Sequence, residues 1–194
     1  DVDKRARMTS DLGIWLKSSG STETYSAYIS KQQSKLDVVA EKVHFIDRQR
    51  QKQIKAQFDR ILKEKIGGIT SFQKKSIICL GARVGGEVRA MKSHGALAIG
   101  MDLNPGKNNM DVVAGDFHDL SFPSAIFDFA FCNVLDHIYT VDKFATEVDR
   151  VLVKDGIFMA ALFPHHKKDD WNGPDAMSIE TKDKVIQNFE KHGL

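Results

Sequence analysis

The sequence predicts an α/β protein, with a doubly wound and mostly parallel sheet of about five strands preceded by a helical extension. Two observations predict it. Short apolar runs alternate with segments of helical spacing over residues 76–163, and residues 25–65 repeat at spacings of three and four. The 194 residues, 42% apolar and 28% charged, are enough for one globular domain and exclude a collagenous, low-complexity or disulfide-scaffold chain.

The N-terminal third is predicted to be helical. Its repeating positions are Tyr25, Ile29, Gln32, Leu36, Val39, Val43, Ile46, Arg50, Ile54, Phe58, Ile61 and Lys65. Nearly all of them are apolar, which is typical of the buried face of an amphipathic helix. A pattern of about forty residues without an internal stop is long, so we expect two helices.

A change in composition near Gly67 and Gly68 predicts a boundary. Residues 1–75 hold 16 basic and 9 acidic residues, whereas residues 76–194 hold 12 basic and 17 acidic ones. We therefore expect residues 1–70 to form a helical extension or lid and residues 71–194 to form the core. Tyr25, Tyr28 and Lys35 are candidates for a lid over a pocket.

Five apolar runs predict the strands. They are residues 76–80, 96–101, 111–114, 127–132 and 156–163, and residues 86–94 and 141–152 between them have helical spacing. Runs this apolar are typical of strands covered by helices on both faces. Only residues 103–110 separate the second run from the third, fewer than the dozen or so of a usual parallel crossover. We expect an extended loop there in place of a helix.

The two cysteines, Cys79 and Cys132, lie inside apolar runs without the spacing of a zinc site, and we expect buried thiols. No apolar run approaches the roughly eighteen residues of a membrane-spanning helix, and the N-terminus has no secretory signal. The sequence thus predicts a soluble, cytoplasmic protein with no membrane partner and no metal.

Polar residues and glycines follow the predicted strands. Gly81 to Glu87 form a glycine-rich turn after the first run, and Asp102 ends the second, 21 residues after Gly81. In an open parallel sheet ligands bind at the carboxyl ends of the strands, where a carboxylate can accept hydrogen bonds from ribose hydroxyls. The spacing of Gly81, Gly85 and Gly86 does not give the G-x-G-x-x-G of a nicotinamide-binding turn.

Four ordered motifs make the pattern specific. They are residues 115–123 (GDFHDLSFP), 127–128 (FD), 133–138 (NVLDHI) and 147–156 (EVDRVLVKDG). Together they resemble the class I S-adenosylmethionine-dependent methyltransferases with a type 11-like domain, over about residues 76–163. The resemblance implies a Rossmann-like methyltransferase fold, a methyltransferase activity and S-adenosylmethionine as cofactor.

The resemblance also implies roles for individual residues. Asp102 would hold the ribose hydroxyls, and Asp116 would accept a hydrogen bond from the adenine amino group. The other implied positions are Leu103 against the adenine, Phe117 with its amide or ring, Asn133 near the methionine carboxylate or methyl group, and Gly81, Ala82, Arg83 and Gly85 beside the methionine part.

Three features depart from the family pattern. Cys79 stands where the family has an acid, the central glycine of the turn is Arg83, and the segment after Asp102 is short. The guanidinium of Arg83 either clashes with the sulfonium, points out of the pocket or pairs with the cofactor's carboxylate.

His137 is the candidate catalytic base, because it follows the fourth strand and an imidazole titrates near working pH. The alternative is a histidine that orients its loop. Asp136 beside it either orients the ring or is solvated. A metal site from His137, His165 and Asp169 has no supporting spacing, His166 fits an exposed polar loop, and Trp171 stacks on a ligand or anchors its loop.

The predicted acceptor is a small molecule. A catalytically silent relative that acts through its helical arm is the alternative, and a nucleic-acid methyltransferase is disfavoured by the acidic core half. Class I enzymes end with a sixth and a seventh strand after a helix that here is predicted at residues 179–192. We therefore expect a shortened form of a longer chain. The oligomeric state is not predicted.

Overall fold

The computed structural model describes residues 24–38, 43–161, 187 and 189–194. The elements in chain order are α1 (Tyr25–Val38), α2 (Val43–Glu64), β1 (Ser76–Leu80), α3 (Gly86–Ser93), β2 (Leu97–Asp102), β3 (Val112–Ala114), β4 (Phe127–Cys132), α4 (Val141–Val151) and β5 (Leu152–Ala160). Single 3₁₀ turns form at Ile66–Gly68 and Leu135–His137. The predicted alternation of strand and helix and the pair of N-terminal helices are confirmed.

The five strands form one parallel sheet in the order β3-β2-β1-β4-β5. Leu80 at the end of β1 pairs with Met101 of β2 and with Cys132 of β4, so these three strands end side by side. The strand order reverses at β1, which is the position where open α/β sheets bind ligands. The fold class predicted from the sequence is confirmed.

The loop between β2 and β3 replaces the usual crossover helix, as predicted. It is held by its own asparagines: Asn109 Oδ1 accepts hydrogen bonds from the backbone amides of Asp111, at 2.9 Å, and Val112, at 3.1 Å. Asn104 Nδ2 donates to the carbonyl of Gln33 on α1, at 2.6 Å. These bonds let a short segment turn β3 back alongside β2 as a parallel neighbour.

The core has two hydrophobic clusters, one on each face of the sheet. Ile78 and Leu80 of β1 point into the first with α4, whereas Ile77 and Cys79 point into the second with α2 and α3. This division follows from the alternation of side chains along a strand. Both cysteines are free and buried, which confirms the prediction.

The predicted apolar face of the N-terminal helices is wrong at one position of α2. Asp47 is buried, with 8% of its surface exposed, whereas Ile46 is 40% exposed. The carboxylate tolerates burial because backbone and guanidinium donors from α3 surround it. On α1 Tyr28 is buried at 2% exposure, and its neighbour Ile29 is only partly buried.

The boundary between α4 and β5 also differs from the prediction. We expected a strand over residues 156–163, but β5 begins at Leu152, directly after the last residue of α4. The chain passes from helix to strand without a loop, and the pairing of β5 with β4 shifts between Phe127 and Phe129.

Two predicted segments lie wholly or largely outside the described residues. The first is the segment after β5 with His165, His166, Asp169 and Trp171, within residues 162–186. The second is the helix predicted at residues 179–192, of which only residues 187, 189 and 190 are described as helical. No helix within the described ranges is long and apolar enough to cross a membrane. The division at residue 70 stays a prediction.

Candidate functional site

A cleft of about 50 Å³ lies at the carboxyl ends of β1 and β2, against α1. It is lined by the predicted residues Gly81, Arg83, Asp102, Leu103, Phe117 and His137. Tyr28, Gln32 and Lys35 of α1 form another part of its wall. Four predicted residues, Ala82, Gly85, Asp116 and Asn133, do not line it.

Asp102 ends β2 and presents its carboxylate in the cleft. Its Oδ2 accepts a hydrogen bond from the backbone amide of Arg83, and its Oδ1 accepts one from the amide of Asn104, each at 2.9 Å. Burial raises the pKa of Asp102, against these two hydrogen bonds, which lower it. The carboxylate is therefore fixed in place by backbone on both sides.

The glycine-rich turn after β1 contains three residues with left-handed backbone, and one of them is Arg83. Gly81 and Gly85 have φ of 73° and 92°, and Arg83 itself has φ of 44°. These are left-handed conformations, which glycine adopts without steric cost. A side chain at Gly81 would collide with Val134. Arg83 thus takes up a backbone conformation suited to glycine and adds a guanidinium at the cleft.

Asp116 is placed behind the cleft and is already bonded. It accepts hydrogen bonds from the Tyr25 hydroxyl, from His118 Nδ1 at 2.9 Å and from the His118 amide at 2.9 Å. Burial acts to raise the pKa of Asp116, but the hydrogen bonds from His118 and Tyr25 outweigh it and leave the pKa below its ordinary value. The carboxylate is ionised, and three of its roughly four acceptor positions are taken by its own chain.

His118 is a residue that the sequence analysis did not single out. Its Nε2 lies 3.2 Å from the amide of Tyr139 and 3.3 Å from that of Thr140, and both amides donate to it. An accepting Nε2 carries no proton, so Nδ1 holds the proton and donates it to Asp116. The ring joins the Asp116 loop to the segment before α4. Nothing in the sequence places residues 139 and 140 beside it.

Tyrosines of α1 close over these loops. Tyr28 donates its hydroxyl to the carbonyl of His137 at 2.6 Å, and the rings of Tyr25 and Tyr28 stack with centroids 5.8 Å apart. The ring centroid of Tyr139 lies 5.1 Å from the ring centroid of Tyr25 and 5.1 Å from that of Tyr28. Burial raises the pKa of Tyr25 and of Tyr28, so both hydroxyls stay protonated.

Asn133 ends its strand but directs its amide away from the cleft. Its Nδ2 donates to Glu87 at 2.7 Å, and its Oδ1 is buried without a hydrogen-bond partner among the described residues. Glu87, on α3, is 4% exposed, and burial raises its pKa. Burial raises the pKa of Cys79, and the charge of Glu87 raises it further. A carboxyl group from α3 therefore lies near Cys79, the position at which the family that the sequence resembles has an acid.

Two residues of the motif at 147–156, Glu147 and Arg150, bond to the backbone of the motif at 115–123, and we call this pair the clamp. Glu147 of α4 accepts a hydrogen bond from the amide of Leu120 at 2.7 Å, and Arg150 donates to the carbonyls of Leu120 and Phe122, each at 2.8 Å. Glu147 and Arg150 also pair with each other at 2.7 Å. The clamp fixes the loop that follows Asp116 and His118.

His137 lines the cleft. The side chain of Asp136 lies outside the described residues, as do His165 and Asp169 of the conceivable metal site. In the part of the chain that the structure describes, no group of three or more His, Cys, Asp or Glu residues could hold a metal ion.

Residues 78–160, from β1 to the end of β5, match the model of a family described as a methyltransferase domain. This segment is a class I methyltransferase domain. The class uses S-adenosylmethionine as its methyl donor. No curated protein matches the chain.

Solved structures share the fold of this methyltransferase domain. A chain of the complex between the Haloferax volcanii Trm112 methyltransferase activator and a putative methyltransferase is 18% identical, with a TM-score of 0.61, over 82% of this chain and 76% of that chain. An S-adenosylmethionine-dependent methyltransferase from Mesorhizobium loti is 18% identical, with a TM-score of 0.52, over 64% and 76%. Phosphoethanolamine N-methyltransferase 2 from Haemonchus contortus is 18% identical, with a TM-score of 0.55, over 71% and 36%.

The chain spans only part of the length of some of these proteins. The chain covers 50% of the YcgJ protein from Bacillus subtilis, with 25% identity and a TM-score of 0.42. The structures with TM-scores above 0.5 share the fold of this chain, and their identity of 18% leaves the acceptor open.

Proposed function

We propose that the protein is an S-adenosylmethionine-dependent methyltransferase that acts on a small molecule. One observation carries the proposal: Asp102 ends β2 with its carboxylate in a cleft formed by the glycine turn, in a domain of the methyltransferase class. The solved relative named for phosphoethanolamine supports an acceptor of small size. The acidic balance of residues 76–194 disfavours a nucleic acid.

The residues of the cleft fit the chemistry of this cofactor. Asp102 would accept hydrogen bonds from the ribose hydroxyls, with Leu103 and Phe117 as apolar walls for the adenine. Arg83 would face the methionine part with its guanidinium. When bound, S-adenosylmethionine supplies a methyl group on a positively charged sulfur. The protein then needs only to hold an acceptor in line with that group, which can supply roughly 7–11 kcal/mol of the barrier.

Binding of the adenine amino group at Asp116 would require the Tyr25 hydroxyl of α1 to move away from that carboxylate. Tyr28, Gln32 and Lys35 of α1 form one wall, and Tyr25 occupies the carboxylate of Asp116, to which we assign the adenine amino group. We therefore assign α1 the role of a lid that opens to admit the cofactor.

His137 would act as a general base where the acceptor carries a proton that must leave. It lines the cleft, and the hydrogen bond from Tyr28 to its carbonyl fixes its backbone. An acceptor that enters with a free lone pair would need no base. A His137→Ala variant would then keep the methyl-transfer rate, and a rate loss that is greatest at high pH, where the imidazole is unprotonated, would support the role of base.

The experiment is calorimetric titration of the protein with S-adenosylhomocysteine and S-adenosylmethionine. We expect both to bind, and an Asp102→Asn variant to bind S-adenosylhomocysteine about tenfold more weakly, because a charged acceptor is lost. The matched control is Asp128→Asn, since Asp128 bonds Lys75 and Ser76 at the opposite end of the sheet. Binding by neither ligand would refute the proposal.

A catalytically silent relative is the second candidate. Two observations favour it: Arg83 adds a cation to the turn that would face the sulfonium, and Tyr25 occupies Asp116. This candidate predicts that the wild-type protein does not bind S-adenosylmethionine. Restored binding in an Arg83→Gly variant would identify Arg83 as the obstruction.

A further inference from the structure

The carboxylate of Asp47 contacts the glycine turn from outside the cleft. Its Oδ1 accepts a hydrogen bond from the amide of Gly86 at 2.8 Å, and its Oδ2 pairs with Arg89. Gly86 is the first residue of α3, and Gly85 before it has no side chain to cap the helix. The first amides of a helix need such an acceptor. Here α2 provides it.

Gly86 allows α2 to approach this closely. A Cβ atom at position 86 would lie 2.6 Å from Oδ1 of Asp47 and 3.0 Å from its carbonyl oxygen. One turn further along α2, the charge of Arg50 lowers the pKa of Glu87 against the larger effect of burial. Two residues of α2 thus act on the first two residues of α3.

Arg89 carries the connection to the middle of the turn and to β3. Its Nη1 donates to the carbonyl of Val84 at 2.9 Å and to Asp111 at 3.0 Å. Asp111 also pairs with Lys92 at 2.7 Å and immediately precedes β3. Asp47, Arg89 and Asp111 therefore tie α2, the turn and the start of β3 together.

The turn is held from two sides. On the cleft side Asp102 accepts the amide of Arg83, and on the outer side Asp47 accepts the amide of Gly86. Between these two carboxylates lie Arg83 and Gly85, both in left-handed backbone conformations. For Arg83, which has a Cβ atom, this conformation costs energy and persists only where surrounding contacts fix it. Loss of either carboxylate would release one end of the turn.

We propose that Asp47 is a positioning residue of the cofactor site, which acts by fixing the turn of residues 81–86 from α2. The inference rests on the proposed function, since the turn is assigned to the cofactor there. It makes the second N-terminal helix a part of the site's construction, although no side chain of α2 lines the cleft.

The test measures S-adenosylhomocysteine binding by calorimetry with Asp47→Ala and Asp47→Asn, at a temperature where circular dichroism shows every variant folded. We expect Asp47→Ala to weaken binding about tenfold, the usual effect of losing a hydrogen bond to a charged group. Asp47→Asn retains an oxygen for Gly86 and should recover part of the loss. Hydrogen exchange of residues 81–89 should accelerate in the same order.

Two controls separate positioning from stability. Asp59→Ala removes an exposed carboxylate of α2 that bonds Lys55 and His94, and it should bind as the wild type does. Val151→Ala creates a cavity in the other hydrophobic cluster and should lower the melting temperature without changing binding. Equal weakening by Val151→Ala, or unchanged binding by Asp47→Ala, would overturn the inference.

The result also distinguishes the two proposals. Wild-type protein that does not bind S-adenosylhomocysteine refutes the proposed function and this inference with it. Wild-type protein that binds, beside an Asp47→Ala variant that binds equally well, refutes only the role of Asp47. If Asp47→Ala does not fold, the comparison of Asp47→Asn with wild type decides in the same way.

Discussion

Arg83 combines a glycine-like backbone with a charged side chain. Its φ of 44° lies in a region that costs a residue with a Cβ atom about 1 kcal/mol or more. The contacts of the turn impose this conformation, since Asp102 accepts its amide. The resemblance to the family showed only that arginine stands at a glycine position, and the structure shows that this arginine adopts a left-handed backbone.

We predict that Arg83→Gly raises the free energy of unfolding by about 1 kcal/mol, because glycine relieves the left-handed backbone. Urea denaturation followed by circular dichroism measures it. Gly85→Ala is the opposite control: its φ is 92°, and its Cβ atom would lie 3.0 Å from that of Asp111, so it should be less stable than wild type. A less stable Arg83→Gly would show that contacts of the guanidinium outweigh the backbone cost.

The contribution of Glu87 to stability should change with pH in the opposite direction to that of most acids. Burial raises its pKa, so between the ordinary and the raised value the folded protein binds more protons than the unfolded one. The stability that protonated Glu87 contributes to the fold is therefore lost as the pH rises through the folded pKa. Glu87→Gln removes this charge, keeps an oxygen for Asn133 Nδ2 and adds a donor for Asn133 Oδ1.

We expect Glu87→Gln to be more stable than wild type at pH 7 by about 1 kcal/mol, the value of one buried hydrogen bond. The difference should shrink as the pH approaches about 4, where glutamate is itself protonated. Urea denaturation at several pH values measures it. A difference that is independent of pH would mean that folding does not shift the pKa of Glu87.

Among the elements, α1 has the clearest functional consequence. Tyr25 and Tyr28 anchor it to the loops at Asp116 and His137. The periodicity predicted this helix but placed Tyr25 and Ile29 on its buried face, whereas Tyr28 is the buried ring. Hydrogen bonds to loops more than ninety residues away decided the orientation, and no local pattern contains them.

We predict that Tyr25→Phe binds S-adenosylhomocysteine more tightly, by about tenfold, because its hydroxyl no longer competes for the carboxylate of Asp116. Calorimetry measures the effect. An analogue with hypoxanthine in place of adenine has no amino group and should gain less from the substitution. Weaker binding of S-adenosylhomocysteine by Tyr25→Phe would indicate that Tyr25 holds the ligand rather than excluding it.

Strands were predicted more reliably than the side-chain contacts between elements. Apolar runs located all five strands because burial on both faces marks them in the sequence. The periodicity did not include Asp47 among the buried positions, because its partners Gly86 and Arg89 follow about forty residues later. His118 was passed over for the same reason, since Tyr139 and Thr140 become its neighbours only in the fold.

At the scale of the whole molecule, ionised carboxylates join distant segments. The pKa values of Asp111, Asp116, Asp128 and Glu147 lie below their ordinary values, because ion pairs and hydrogen bonds outweigh burial. Each group contributes stability that is complete above its unfolded pKa and is lost as the pH falls through its folded pKa. These four carboxylates fasten the β3 loop, the Asp116 loop, the sheet's amino end and α4.

We therefore expect the melting temperature to fall steeply as the pH drops below about 4. Thermal unfolding followed by circular dichroism from pH 7 to pH 3, at constant ionic strength, measures it. Added salt should weaken the dependence little, because these pairs are partly buried. A melting temperature that stays constant over this range would contradict the assignment of the four carboxylates.

No loop separates Val151 of α4 from Leu152 of β5, and the pairing of β5 with β4 shifts register before Ile157 meets Phe129. Because side chains alternate between faces, one extra residue that this irregular stretch does not absorb would exchange the faces of Phe158 and Met159, which belong to different hydrophobic clusters. The length of the junction therefore determines which side chains of β5 face α4 and which face α2 and α3. Insertions here should be far less tolerated than insertions of equal size between β2 and β3.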